Sequence, residues 1–125
     1  MDIIISNSQN EPIYAQVENQ IKAMIMQGKL KEGDALPSMR SLAKDLRISL
    51  ITTKRAYEEL ERDGFIITVA GKGCFVAQQN TQIVREQNLR EVEALLAKAV
   101  EIAFMCDISK EELSDILTYI YEEKH

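Results

Sequence analysis

The spacing of the apolar residues in this chain changes at Gly64. Before it, they recur every three or four positions, which is the period of a helix with one buried face. After it come two short runs rich in β-branched and aromatic residues, 65–69 and 74–76, on either side of Ala70-Gly71-Lys72-Gly73. Glycines between two such runs are typical of a hairpin turn. A chain with this pattern folds as helices followed by one small β-hairpin.

Three helices are predicted ahead of the hairpin. Pro12 suits the first turn of the first helix, because its missing N–H has no helical partner to lose there. The second helix runs from about Met39 to Arg47 and the third from about Leu50 to Asp63, and the serine directly before each one is a favourable N-cap. The break between the second and third helices is short enough for the turn of a helix-turn-helix.

Helix, helix, short turn, helix and hairpin is the order of a winged helix-turn-helix, and we predict this DNA-binding domain for residues 1–79. The fold class is therefore mainly α with a small β wing. In such a domain the third helix lies in the major groove with its N-terminal residues at the base edges. The outward surface of that part of the helix carries Ser49, Leu50, Ile51, Thr52, Lys54 and Arg55.

Two further places can contact the DNA backbone. Ser38 and Arg40 open the second helix, where N–H groups and side chains bind phosphate. Lys72, between Gly71 and Gly73 at the tip of the hairpin, suits a contact with the backbone or the minor groove. Each feature also has a simpler interpretation, because Ser38 can serve only as a cap and the two cations only as solvated surface.

The third helix has alternatives of the same kind. Lys54 and Arg55 can pair with Glu58 and Glu59 four residues later, which would make this face an ordinary solvated surface. A winged domain can also contact another protein, since a fold alone does not fix function. An enzyme is not indicated, because the sequence has no nucleophile–base pair, metal cluster or phosphate-binding loop, and no cofactor is expected.

The acidic character of the chain is concentrated outside the predicted DNA-binding part. The net charge is −5, yet residues 12–79 hold 10 Lys and Arg against 8 Asp and Glu. Residues 80–125 hold 5 Lys and Arg against 10 Asp and Glu. The distribution of charge matters more than its sum for a nucleic-acid partner, so the acidity does not exclude DNA.

Composition also limits metal sites, redox chemistry and location. The only histidine is the terminal His125 and no CxxC is present, so no metal site is expected. Cys74 and Cys106 are expected to be reduced, and Cys74 to fill a strand position rather than to act as a redox switch. No stretch reaches the roughly 18 apolar residues of a membrane span. The N-terminus lacks a basic region and a signal-like apolar run, so a cytoplasmic protein is expected.

Residues 80–125 are predicted to form a two-helix hairpin used for dimerisation. After a polar linker at 78–82, a long helix runs from about Ile83 to Met105, and the capping box Ser109-Lys110-Glu111-Glu112 begins a second helix. Both helices carry apolar stripes at spacings of three and four residues. Two helices cannot bury so much apolar surface between them.

Two surfaces can receive these stripes: the winged domain of the same chain, or the same hairpin of a second chain. The polar linker weakens the first, and a symmetric dimer would match palindromic half-sites about 34–36 Å apart. We therefore predict a homodimer on double-stranded DNA. The residues expected in its interface, or in the core beneath it, are Leu89, Val92, Leu96, Ala99, Leu113, Leu117 and Ile120.

Together the motifs resemble the GntR family of bacterial transcription factors over about residues 11–77. The matching positions are Pro12-Ile13-Tyr14, Gln16, Ile21, Leu36-Pro37-Ser38-Met39-Arg40, Leu42-Ala43, Leu46, Ile48-Ser49, Thr52, Ala56-Tyr57, Leu60, Asp63-Gly64 and Gly71-Lys72-Gly73-Cys74-Phe75-Val76. The 46 residues from 80 to 125 are too few for the large effector domains common in that family. They resemble the short YtrA-type subfamily, in which two C-terminal helices make a dimer.

The resemblance implies a repressor that binds a palindromic operator as a homodimer and regulates its own operon, which in this subfamily often includes genes for ABC-type transporters. It implies DNA contacts by Arg40, Ser49, Thr52, Lys54, Gly71, Lys72 and Gly73. Leu50 departs from the arginine that many members carry, so the operator consensus of the wider family does not transfer. An unknown small-molecule effector would have to bind between the two helical hairpins, or between a hairpin and the winged domain.

Overall fold

The computed structural model describes residues 1–7 and 10–124, leaving aside the side chain of Thr81. Within these residues five helices and one two-stranded antiparallel sheet are found. The elements are α1 Ile13–Met26, α2 Met39–Leu46, α3 Leu50–Arg62, β1 Ile66–Val69, β2 Gly73–Val76, α4 Thr81–Met105 and α5 Lys110–Lys124. The chain divides into two compact units, Met1–Thr81 and Gln82–His125. The predicted fold class, mainly α with a small β wing, is confirmed.

α1 supplies one wall of the core of the first unit. Val17, Ile21 and Ile25 lie one helical turn apart and are almost wholly buried, as their spacing predicts. The position predicted for Pro12 is wrong by one residue. Pro12 is the N-cap with an extended ψ of 151°, so it precedes the first turn instead of lying in it. Its carbonyl oxygen accepts the first helical hydrogen bond from the N–H of Gln16, at 3.1 Å.

α2 and α3 begin at the predicted serine caps. The hydroxyl of Ser38 accepts a hydrogen bond from the N–H of Ser41, and that of Ser49 accepts one from the N–H of Thr52, each at 3.1 Å. α2 is one residue shorter than predicted because Arg47, at φ 57°, leaves the helix in the left-handed conformation. That conformation reverses the chain direction within a few residues and completes the helix-turn-helix.

α3 is the element around which the first unit packs. Its inward residues Thr53, Ala56, Tyr57 and Leu60, spaced three, one and three positions apart on one helical face, are all at most 1% exposed. α3 contacts α1, α2 and β1. The hydroxyl of Tyr57 donates a hydrogen bond of 2.7 Å to the carbonyl oxygen of Pro37, which fixes the loop leading into α2. Burial raises the pKa of Tyr57, so this hydroxyl stays protonated and remains a donor.

A charged cluster joins α1 to the end of α3. The ammonium group of Lys22 lies 2.8 Å from the carboxylate of Glu18 and 3.0 Å from that of Asp63, and 5.3 Å from the ring centroid of Phe65. Burial alone lowers the pKa of Lys22, but the hydrogen bonds to the two carboxylates outweigh it and the pKa is raised. The cluster therefore ties α1, the end of α3 and the start of the wing together.

The wing is a tight antiparallel hairpin. β1 and β2 pair from Ile66 opposite Val76 to Val69 opposite Gly73, so three residues form the connection. Ala35 forms an isolated bridge with Phe75, and the N–H of Leu36 donates to the carbonyl oxygen of Cys74 at 2.9 Å. The outer edge of β2 is thereby covered by the loop that precedes α2. The wing and the start of α2 are linked through this loop.

The N-terminal segment packs against α1. Ile3 is buried in the core. The side-chain amide of Gln20 exchanges two hydrogen bonds with the backbone of Ile4, and that of Gln16 does the same with Ser6, at 2.7–2.9 Å. These two amides lie four residues apart on one face of α1 and pair with alternate residues, Ile4 and Ser6, of the N-terminal segment.

The second unit consists of α4 and α5 joined at Asp107, which takes a positive φ of 56°. α4 begins at Thr81, two residues earlier than predicted, and Ser109 caps α5 by accepting from the N–H of Glu112 at 3.1 Å. Among the described residues of this unit, only Ala103 is buried. The apolar stripes of both helices are therefore mostly exposed.

Replacing Tyr57 by phenylalanine tests the bond that holds the loop before α2. Tyr57→Phe keeps the ring in the core but leaves the carbonyl oxygen of Pro37 without its donor, so we expect a loss of about 1–3 kcal/mol in the free energy of unfolding. Urea denaturation measures it. Tyr119→Phe, on an exposed side chain of α5, is the matched control and should change stability by less than about 0.5 kcal/mol. Equal stability of both variants would contradict the assignment.

Candidate nucleic-acid interface

The N-terminal end of α3 is polar and locally fixed. The hydroxyl groups of Ser49 and Thr52 lie 2.7 Å apart, and Ser49 also caps the helix. The hydroxyl of Thr53 turns back to the carbonyl oxygen of Ser49 at 3.2 Å. Two hydroxyls are thus held at the helix end, where unpaired N–H groups and the helix dipole favour negative charge.

Beside these hydroxyls, α3 exposes two adjacent aliphatic side chains. Leu50 is 41% exposed and Ile51 is 81% exposed. Their position follows from the helical period, since Thr53, Ala56 and Tyr57 occupy the opposite, buried face. A β-branched side chain such as Ile51 is stiff, so little conformational freedom is lost when it contacts a partner.

Lys54 extends this exposed face by one turn. Its ammonium group lies 4.0 Å from the carboxylate of Glu58, four residues later, and both side chains are more than 60% exposed. An exposed pair of this kind contributes at most about 1 kcal/mol. The pairing expected for a solvated surface is therefore present at Lys54, but it is weak enough to be exchanged for a phosphate.

Arg55 has different surroundings from those expected. Instead of pairing with Glu59, its guanidinium carbon lies 3.9 Å from the ring centroid of Tyr14 on α1. Glu59 forms an ion pair with Arg62. The partner of Arg55 is thus an aromatic ring from another helix, which spacing along one helix cannot reveal.

The start of α2 places a second group of polar residues at the surface. Ser38 caps the helix, as the simpler interpretation requires, and remains exposed. The side chain of Arg40 is exposed, and among the residues that the structure describes it forms no hydrogen bond or ion pair. Because α2 packs on α3 and Tyr57 holds the loop before it, the backbone of Arg40 is held in place.

The tip of the wing is open on its outer side. Gly71 and Gly73 take φ values of 76° and 112°, which residues with a side chain rarely adopt, and no heavy atom outside the adjoining residues lies within 4 Å of where a Cβ would be. Lys72 between them is exposed, and its N–H closes the turn onto the carbonyl oxygen of Val69 at 2.9 Å. Because the two glycines have no side chains, the tip of the wing and its one lysine can approach a DNA backbone closely.

All ten residues predicted to contact DNA lie in the first unit, and the structure leaves nine of them exposed and Thr52 half-buried. They belong to α2, α3 and the wing. α3 contacts both α2 and strand β1 of the wing. Two surface features of the same unit were not predicted from the sequence. The guanidinium group of Arg55 lies over the ring of Tyr14. Arg47, in the left-handed conformation, places a cation in the turn between α2 and α3.

The described part of the chain offers little for other kinds of site. It contains no group of three or more His, Cys, Asp and Glu side chains that could hold a metal ion, and His125 lies outside it. No helix within it is long and apolar enough to cross a membrane. Cys74 is buried and Cys106 exposed, and both are free thiols.

Comparison with known proteins agrees with this geometry. The family model described as "Bacterial regulatory proteins, gntR family" matches residues 13–76. The HTH-type transcriptional repressor YtrA of Bacillus subtilis (strain 168) is 31% identical over 113 residues, which are 90% of this chain and 87% of that protein. Both the match and the fold are those of DNA-binding transcription regulators rather than enzymes.

Two solved structures extend the comparison. A transcriptional antiterminator from Listeria monocytogenes EGD-e superposes with a TM-score of 0.74 at 30% identity, covering 97% of this chain and 90% of its own. The DNA-binding domain of AraR in complex with operator ORX1 superposes with a TM-score of 0.55 at 29% identity, covering 62% of this chain and 96% of its own. The chain belongs to the GntR family of bacterial transcription regulators, and its similarity to a YtrA repressor over nearly its whole length assigns it to the short YtrA-type subfamily.

Proposed function

We propose that this protein is a repressor that binds a palindromic operator as a homodimer and regulates its own operon, which, as is frequent in its subfamily, would include genes for an ABC-type transporter. The observation that carries the DNA-binding role is the exposed N-terminal face of α3. It combines two fixed hydroxyls, two aliphatic side chains and a weakly paired lysine on one rigid element. The B. subtilis relative is a repressor, which supports repression as the direction of regulation.

The cations of this face account for affinity. Arg40, Lys54, Arg55 and Lys72 are all exposed, and each can neutralise a phosphate. Binding releases the counterions condensed on DNA, so the affinity falls steeply as salt rises. The overall charge of −5 does not oppose this, because the acidic excess lies mainly in the second unit.

The side chains at the start of α3 account for sequence preference. Ser49 and Thr52 offer hydroxyls that bond base edges or phosphates, and Leu50 with Ile51 offers an apolar surface that suits the 5-methyl group of thymine. The usual arginine of the wider family would instead bond guanine. An operator rich in A·T pairs at the positions facing Leu50 and Ile51 is therefore the expected target.

The wing adds a contact outside the major groove. Gly71 and Gly73 let the backbone approach, and Lys72 supplies the charge. Because the loop that precedes α2 pairs with the outer edge of β2, the wing and the start of α2 are held in a fixed relative position.

The exposed stripes of the second unit support a homodimer. Leu89, Val92 and Leu96 on α4 are each more than 40% exposed, and Ala99 is half-exposed on the same face. On α5, Leu117 and Ile120 are similarly exposed, and Leu113 is half-buried. A soluble protein rarely leaves so large an apolar surface to water, and a second copy would cover it with the same residues by two-fold symmetry.

Alanine substitutions test the phosphate contacts. On a duplex that the wild-type protein selects from a random-sequence pool, Arg40→Ala and Lys54→Ala should each weaken binding about tenfold and reduce the salt slope by about two, one for each subunit of the dimer. Fluorescence anisotropy at several salt concentrations measures both. Lys98→Ala, which removes the same charge from the second unit, is the control. Unchanged affinity in both test variants would refute the assignment of this face.

Removing thymine methyl groups tests the aliphatic contacts. Replacing single thymines of the selected duplex by uracil should weaken binding about fourfold at one or two positions, the value of one buried methyl group. Ile51→Ala or Leu50→Ala should abolish this sensitivity. Ile4→Ala, which shortens an exposed isoleucine far from α3 in sequence, should retain it. A wild-type protein indifferent to every uracil substitution would exclude methyl recognition.

A charge placed in the stripe tests the dimer in the full-length chain. Leu96→Glu should shift the protein to monomers at micromolar concentration, because the carboxylate would be buried without a partner. Sedimentation velocity reports the shift. Ala94→Glu puts the same charge on the opposite side of α4 and should remain dimeric. Equal behaviour of the two variants would contradict the predicted interface.

A further inference from the structure

Tyr14 and Arg55 form a contact between α1 and α3 that binding of DNA by α3 alone does not require. The guanidinium carbon of Arg55 lies 3.9 Å from the centroid of the Tyr14 ring, close enough for a cation–π contact with the two groups stacked. Tyr14 stands in the first turn of α1 and is half-buried, packed against the core of the first unit. The ring is therefore a fixed support, while Arg55 itself is exposed.

Stacking leaves the hydrogen-bonding edge of the arginine open. A guanidinium group carries five N–H donors in its plane, and an aromatic ring on one face occupies none of them. Among the residues that the structure describes, Arg55 has no hydrogen bond or ion pair. Its natural partner one turn later, Glu59, is paired with Arg62.

The neighbouring lysine shows what this arrangement changes. Lys54 follows the ordinary pattern, with a carboxylate one turn later and a long flexible side chain in water. Arg55 instead contacts an aromatic ring on another helix, and among the described residues no carboxylate pairs with it. An arginine fixed in this way loses less conformational freedom when it binds an anion, because its side chain is already ordered.

We propose that Tyr14 is a positioning residue for DNA binding, which holds the Arg55 guanidinium ready to bind one phosphate group of the DNA backbone. The proposal rests on the DNA-binding role of the α3 face. It assigns to α1 a part in DNA binding through Arg55, and it assigns Arg55 to phosphate rather than to a base edge. Phosphate fits because the guanidinium fork matches its oxygens, and because the stack fixes the side chain irrespective of base sequence.

Four variants of the full-length protein test the proposal: Arg55→Ala, Tyr14→Leu, Tyr14→Phe and the double variant Tyr14→Leu/Arg55→Ala. Each is titrated against two probes by fluorescence anisotropy over a range of salt concentrations. One probe is the duplex selected by the wild-type protein, and the other is a 30-base-pair duplex of random sequence. Thermal melting followed by circular dichroism checks that each variant is folded.

The expected results separate charge from positioning. Arg55→Ala should weaken binding to both probes by the same factor, about five- to tenfold, and reduce the salt slope by about 1.8, because each of the two subunits loses one phosphate contact. Tyr14→Leu should weaken binding about threefold with the slope kept, because the charge remains but must be ordered on binding. Tyr14→Phe retains the ring and should bind as the wild type does. The double variant should bind no more weakly than Arg55→Ala.

Three results would overturn the proposal. A Tyr14→Phe variant as weak as Tyr14→Leu would assign the effect to the hydroxyl rather than to the ring. Additive losses in the double variant would show that Tyr14 acts independently of Arg55. An unchanged salt slope in Arg55→Ala would remove the phosphate contact. Lys54→Ala separates these failures from failure of the proposed function, since it should still weaken binding if α3 faces DNA at all.

Discussion

Side chains along one face of α3 are buried against α1, α2 and β1, and the positions of those three elements depend on that contact. Ala56, Tyr57 and Leu60 lie at the centre of it and are all but excluded from solvent. A helix that buries this face must expose the opposite one, so the packing of the core decides which residues are presented at the surface. Leu50, Ile51 and Lys54 are accordingly exposed on a helix that cannot rotate without opening the core.

Local hydrogen bonds refine this arrangement without generating it. The serine caps begin the two helices of the helix-turn-helix at defined residues, and Tyr57 links the core of α3 to the loop before α2. The same loop pairs with β2 of the wing. The three candidate DNA contacts, on α2, α3 and the wing, thus all depend on the buried face of α3. This limits how far they can move relative to one another.

The second unit has the opposite character. Its helices are long and regular, yet among its described residues burial is confined to Ala103, with Ala99, Ile108 and Leu113 among those partly covered. Apolar surface on this scale favours association, because each buried methylene contributes about 0.8 kcal/mol. Stability of the first unit arises within the chain, whereas the second unit has its main apolar faces available to a partner.

The order of elements, both serine caps, the inward face of α3 and the hairpin glycines were predictable from sequence, because each depends on residue period or on backbone preferences within a few positions. Three features were not: the burial of Ile3 in the core, the left-handed Arg47, and the stacking of Arg55 on Tyr14 in place of Glu59. The first and third join residues remote in sequence, and spacing along one helix cannot show which partner an arginine will take. The sequence by itself determined which helices and strands form and which residues stand at their ends. Only the tertiary structure decided which cations pair with a carboxylate and which do not. That pairing depends on which side chains the packing of α1 against α3 brings within a few ångströms of each cation.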